Sequence, residues 1–130
     1  MGFFTRKKKG EEKEKENPQW RLLTSQEQLV QIIEDSQEIP VGIFKHSTRC
    51  GISGMVLRGF ESAWPWNEEK VHLYLLDLLN QRDLSNYIAS ELGVWHESPQ
   101  FLLIKKGKVI YHASHGAITV PDVTMALVTD

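Results

Sequence analysis

Only one cysteine, Cys50, occurs among 130 residues. A single thiol cannot close an internal disulfide, so no disulfide framework holds this fold. It also rules out a Cys-rich zinc or iron–sulfur cage built from this chain alone. No apolar run approaches the ~18 residues of a membrane span. The first residues lack the apolar core of a secretory leader, which fits a reduced, cytoplasmic setting. Charge of one sign is also scarce. The net charge is −2, and no basic stripe marks a nucleic-acid surface. Nucleic-acid and membrane partners are therefore not expected, and a monomer is. What remains is ordinary for a globular chain: 41% hydrophobic and 25% charged residues, enough for one domain with its own core.

Charge is unevenly placed. Residues 1–17 hold six Lys/Arg and four Glu. They show no apolar periodicity, so this segment is expected to be a disordered charged tail. The globular domain is expected over 18–130. Along it, strand and helix signals alternate. Trp20 to Leu23 is a short apolar run. Thr24 and Glu27 have capping-box spacing before Leu29, Ile32 and Ile33. Val41 to Phe44 reads as a buried strand after Pro40. Ile52, Met55, Val56, Phe60 and Ala63 fall on one face of a helix from about Cys50 to Ser62, which Gly54 and Gly59 weaken by roughly 1 kcal/mol each. Val71 to Leu79 is rich in β-formers. Leu84, Tyr87, Ile88 and Leu92 mark a helix closed by Gly93. Phe101–Ile104 and Val109–Tyr111 flank the turn Lys106-Gly107 as a hairpin. Thr119 and Pro121 open a last helix with Val123, Leu127 and Val128. The order is βαβαβαββα. It predicts an α/β fold with a mixed four- to five-stranded central sheet flanked by helices.

The chemistry converges on the segment from Phe44 to Ser53, which follows a buried strand and opens a helix. Free backbone N–H groups and the positive end of the helix dipole favour a thiolate there. Arg49 adds a cation beside Cys50. A reactive thiol competes with a buried structural cysteine that behaves as a small apolar residue. The polar run Ser47-Thr48-Arg49 favours the reactive reading. Ser53 stands where a dithiol enzyme carries its second cysteine, so exchange must run through a mixed disulfide with an external thiol. His46, four residues before Cys50, is a candidate for assisting proton transfer. Downstream, Ser98-Pro99 enters the strand Phe101–Ile104. An X–Pro bond at such a junction adopts cis at little cost. A cis turn there would present the Ser98 backbone beside Cys50 as an edge for a substrate strand. An ordinary trans-Pro at a strand start is the alternative. His112 and His115 lack a third ligand, so no metal is expected. Trp64, Trp66 and Trp95 read as packing residues, with Trp95 bordering the Ser-Pro turn.

The element order, the Cys50 junction and Ser98-Pro99 resemble the thioredoxin fold. The stretch from Gly93 through Lys108, followed by Gly116-Ala117-Ile118-Thr119, is similar to the C-terminal half of thioredoxins. The loop His46-Ser47-Thr48-Arg49-Cys50-Gly51-Ile52-Ser53 resembles, more narrowly, the monothiol bacilliredoxins of the YtxJ type. The resemblance spans about residues 18–130. It implies a cytoplasmic thiol–disulfide oxidoreductase, acting under oxidative stress, with no resident cofactor. The enzyme would use Cys50 to remove a low-molecular-weight thiol from S-thiolated client proteins. Bacillithiol, a cysteine–glucosamine–malate thiol, would be the co-substrate. Lys45 and Arg49 would hold its malate carboxylates, with Ser98 and Pro99 lining the substrate edge and His46 and Ser53 in support. Thr119 and Asp122 lie at the last helix N-terminus, where related proteins bind part of a small thiol, although capping alone explains both. Many family members carry Pro after the cysteine, where this chain has Gly51. That difference brings the loop near the Cys-Gly-Phe-Ser loop of monothiol glutaredoxins. Two alternatives follow: an iron–sulfur carrier using Cys50 from two chains, or a redox-inactive module that binds a partner along the Ser98-Pro99 edge.

Overall fold

The computed structural model describes residues 18–129. The expected disordered tail, 1–17, lies outside the described residues. Among the described residues five strands and four helices alternate in the expected order: β1 Trp20–Leu22, α1 Gln26–Asp35, β2 Val41–His46, α2 Gly51–Ala63, β3 His72–Asp77, α3 Arg82–Leu92, β4 Gln100–Lys105, β5 Lys108–Ser114 and α4 Val120–Val128. A single 3-10 turn, His115–Ala117, joins β5 to α4. The strands form one sheet in the order β1-β3-β2-β4-β5. β1 and β2 pair with β3 in parallel, while β4 runs antiparallel to β2 and β5.

Period-2 alternation along the central strands supplies both faces of the sheet. Val41, Ile43, Leu76, Leu102 and Ile104 pack with Leu29 and Ile32 of α1 and Leu84 and Ile88 of α3. Phe44, Leu73, Phe101 and Leu103 pack on the other face with Phe60 and Trp64 at α2 and Val123 of α4. On that second face Phe60 stacks on Trp64 at 4.9 Å and meets Phe44 edge-on at 5.7 Å. Gly42 makes this layer possible. A Cβ there would lie 2.6 Å from Phe101 Cζ and 2.7 Å from Leu73 Cδ2. The β4–β5 turn is of the hairpin kind, with positive φ at Lys106 and Gly107, which suits the twist of the flanking strands.

Three expectations about the elements are corrected. The cap of α1 sits one residue later than expected: Ser25 Oγ accepts the Gln28 N–H, and Gln28 Oε1 accepts the Thr24 N–H. That frame points Leu29 and Ile32 inward, where both are fully buried. β2 runs two residues beyond Phe44, because Lys45 and His46 pair with Leu76 and Asp77. The buried face of α2 is Ser53, Val56, Leu57 and Phe60, with Trp64 just beyond. Ile52, Met55 and Ala63, expected on it, are exposed. The helix is rotated so that Phe60 reaches the aromatic layer and the Ser53 hydroxyl turns inward.

Candidate functional site

β2 delivers the chain to the top of the sheet, and residues 47–50 turn it into α2. The Cys50 N–H donates to Ser47 O at 3.1 Å, which closes the turn. Cys50 is the N-cap of α2, in extended backbone conformation, and is half-buried. Its sulfur therefore sits at the end of a 13-residue helix, where unpaired N–H groups and the helix dipole favour an anion. Thr48 and Arg49 before it are exposed, as are Gly51 and Ile52 after it.

Ser53, one turn into α2, is fully buried. Its Oγ accepts the Ser47 N–H at 3.1 Å and lies 2.7 Å from His46 Nδ1. The hydroxyl that replaces a second thiol is thus a structural hub. It ties the strand end, the turn and the helix together. Burial pushes the His46 ring below its ordinary value, with Asp77 and Glu61 opposing. The ring is accordingly neutral at pH 7, with one nitrogen committed to Ser53.

Lys45 requires a correction. It was expected to hold substrate carboxylates from a surface loop. Instead it lies inside β2, fully buried on the face shared with Val41 and Ile43. Its Nζ donates to the Ser85 carbonyl of α3 at 3.3 Å. Burial pushes the ammonium down to about 8. Alternation along β2 carries the signal for this placement, since Lys45 follows Ile43 by two. Arg49 is then the exposed cation beside the thiol.

The second segment singled out in the sequence runs from α3 to β4. The Ser98–Pro99 peptide bond is cis. Pro99 is buried and Ser98 half-buried, and the Pro99 carbonyl accepts the His115 N–H at 2.9 Å. Trp95 corrects another expectation. It is not a packing residue but 89% exposed. Trp64 is buried, and Trp66 is half-buried with its Nε1 3.3 Å from Thr124 Oγ1. Two polar residues not anticipated from the sequence hold the loop: Gln100 Nε2 donates to Trp95 O at 2.8 Å, and Ser85 Oγ lies 2.8 Å from His96 Nδ1. Gln100 stands out only as a polar residue at the head of an apolar strand. Thr119 caps α4 by accepting the Asp122 N–H at 3.3 Å.

This arrangement, a half-buried lone thiol at the N-terminus of a helix in a chain that also carries a cis-proline junction at the start of β4, has relatives. Residues 21–123 match the monothiol bacilliredoxin family, BrxC. The chain belongs to that family. Among solved structures it is similar to a candidate oxidoreductase with a thioredoxin fold, at 34% identity over 81% of this chain and 90% of that one, with a TM-score of 0.70. It is also similar to thioredoxin from Malassezia sympodialis, at 25% identity over 83% and 87% of the two chains, with a TM-score of 0.62. Thioredoxin from Fasciola hepatica shares the fold, with a TM-score of 0.60 at 17% identity over 82% and 95%. The family's thioredoxin-like α/β fold is the one described above.

Proposed function

We propose that this bacilliredoxin-family chain removes a low-molecular-weight thiol, bacillithiol, from S-thiolated proteins by monothiol exchange at Cys50. The Cys50 thiolate attacks the small-thiol sulfur of the client's mixed disulfide. A Cys50–small-thiol disulfide forms, the client's S–S bond breaks, and the client thiolate leaves to take up a proton. A second small thiol, as thiolate, then attacks the adduct. It releases Cys50 and carries both small thiols away as their symmetrical disulfide. In this reading His46, four residues before Cys50, exchanges protons with the departing thiolate. Arg49, exposed beside the sulfur, offers the malate carboxylates of bacillithiol a charge-assisted partner.

One observation carries this reading. The only thiol of the chain is half-buried at the N-cap of α2, and the position of a resolving thiol is filled by a buried hydroxyl already engaged with His46 and Ser47. The test is direct. A model protein carrying bacillithiol on one cysteine is mixed with the reduced chain, and both are weighed by intact mass spectrometry. The expected result is loss of one bacillithiol from the model protein and its gain on Cys50, with neither event in Cys50→Ser. An unmodified wild-type chain after prolonged incubation, or transfer that persists in Cys50→Ser, would refute the proposal.

A further inference from the structure

A charged side chain is almost never fully buried without an ionic partner, because stripping its water costs more than a single hydrogen bond returns. Lys45 breaks that rule. It is 0% exposed, and its Nζ makes one hydrogen bond to a neutral carbonyl, Ser85 O at 3.3 Å. Beside it on the sheet lies Gln100, its cross-strand partner in the β2–β4 ladder. Opposed residues of an antiparallel pair point to the same face. Gln100 is likewise buried, and its Oε1 has no hydrogen-bond partner. A merely apolar pair at these two positions would make a better core.

What the two residues accomplish lies one step further out. Gln100 Nε2 holds the carbonyl of Trp95, and Ser85, whose carbonyl Lys45 holds, binds the ring of the next residue, His96. Strand β4 directly, and strand β2 through Ser85 of α3, thus hold consecutive residues of the segment that leads into Ser98–Pro99. The grip is on backbone and ring, while the Trp95 side chain stands in solvent at 89% exposure. Between the buried Val94 and Pro99 the segment packs little, with Trp95 and Glu97 exposed and His96 and Ser98 half-buried, so the placement of those four residues leans on these polar anchors.

We propose that Lys45 is a positioning residue for client exchange: through Ser85 and His96, and with Gln100 acting on Trp95, it fixes the Trp95–Pro99 loop so that a client segment can lie along it toward Cys50. The inference rests on the exchange reaction proposed above, and it assigns Lys45 to loop placement, not to capture of a substrate anion. The burial that pushes its ammonium down to about 8 is the cost of that role. Polar groups kept at a functional site commonly lower stability in this way.

The test uses Lys45→Met, which keeps most of the side chain's length and removes the charge, and His96→Ala, which breaks the same chain of bonds at its partly exposed end. Amide hydrogen exchange across Gly93–Ser98 is read by mass spectrometry. Exchange is measured with a bacillithiolated model protein and with 2-hydroxyethyl disulfide, too small to use the loop. The expected result is faster amide exchange in both variants. Transfer from the protein should slow by about 10- to 100-fold, and reaction with the small disulfide far less. Lys45→Met should also melt higher than the wild type, the opposite of what loss of a structural contact produces. Wild-type protection of Gly93–Ser98 in His96→Ala, or in a folded Lys45→Met, overturns the inference, as does equal slowing on both disulfides. A wild-type chain that transfers no thiol refutes the exchange reaction instead, and the amide readout still decides whether Lys45 holds the loop.

Discussion

Ser53→Ala isolates the hub beneath the thiol. The substitution removes one oxygen from a site with no solvent access, and nothing refills it. Two groups lose their partner: the Ser47 N–H, at 3.1 Å, and His46 Nδ1, at 2.7 Å. A buried polar group left unpaired costs about 1–3 kcal/mol. Both orphaned groups belong to half-buried residues, so water satisfies part of the loss. The expected destabilisation is therefore about 2 kcal/mol, a fall in Tm on the order of 10 °C for a domain of this size. Below that melting range the exchange chemistry should survive, because Ser53 supplies neither the attacking sulfur nor a resolving one. Urea unfolding monitored by tryptophan fluorescence gives the first quantity, and thiol transfer at 20 °C gives the second. A stability change under about 0.5 kcal/mol would show that the two bonds contribute nothing net. Loss of transfer in a protein still folded would place Ser53 in the chemistry and refute the argument.

Gly51→Pro should stabilise the domain by about 0.4–1 kcal/mol: Gly51 opens α2, a Cβ there meets nothing within 4 Å, and Cys50 already has the extended backbone that precedes proline. Lower stability by urea titration would show that the Gly51 N–H is needed. Arg49→Ala should slow transfer from a bacillithiolated protein about two- to fivefold more than transfer from a protein carrying an uncharged thiol, the range an exposed ion pair supports. Equal slowing removes Arg49 from recognition. Stability should fall as pH drops below 6.5, because burial first of all holds the rings of His46, His72 and His96 below that value, and the unfolded chain takes up protons before the folded one. By the same sign, stability should rise between about pH 8 and 10.5, where the unfolded chain still protonates Lys45 and the folded one does not. Urea midpoints flat across both windows would contradict these burials.

The sheet and helices were legible because their signals are local and periodic. Short continuous apolar runs mark β2 and β4, Gly93 ends α3 with φ 72°, and Thr119 caps α4. The thiol was legible for the same reason, since a polar run between a strand and a helix reads as a turn at the strand's end. What escaped depends on rotation and on distance along the chain. Two adjacent hydroxyls, Thr24 and Ser25, compete for one cap, and only packing of Leu29 and Ile32 chooses between them. The face of α2 is set by Phe60 meeting Phe44, which lies in another element. Lys45 to Ser85 spans 40 residues and Ser85 to His96 crosses from helix to loop, so no local pattern announces either bond.

A chain with one thiol must discharge its adduct to an outside partner, and the surroundings of Cys50 follow from that need. In a dithiol site the second sulfur approaches from within the helix. Here that inner position holds Ser53, whose oxygen serves His46 and Ser47. The incoming sulfur has to arrive from solvent, in line with the bond it breaks. The sulfur's outer side meets that requirement: Thr48, Arg49, Gly51 and Ile52 are all exposed, and Gly51 puts no side chain in the path. The inner side is closed by the strand end and the first turn of α2. Attack from outside is open to a small thiol and to a client thiol alike, so selectivity must come from what surrounds the approach. In the proposed exchange Arg49 would favour an anionic small thiol, and the anchored Trp95–Pro99 loop would favour a client segment aligned against it. Bacillithiol takes part in both half-reactions and the client only in the first. Arg49→Ala should therefore slow both steps, whereas His96→Ala should slow only transfer from the client, and turnover should reveal the His96→Ala effect only where that first step is the slower.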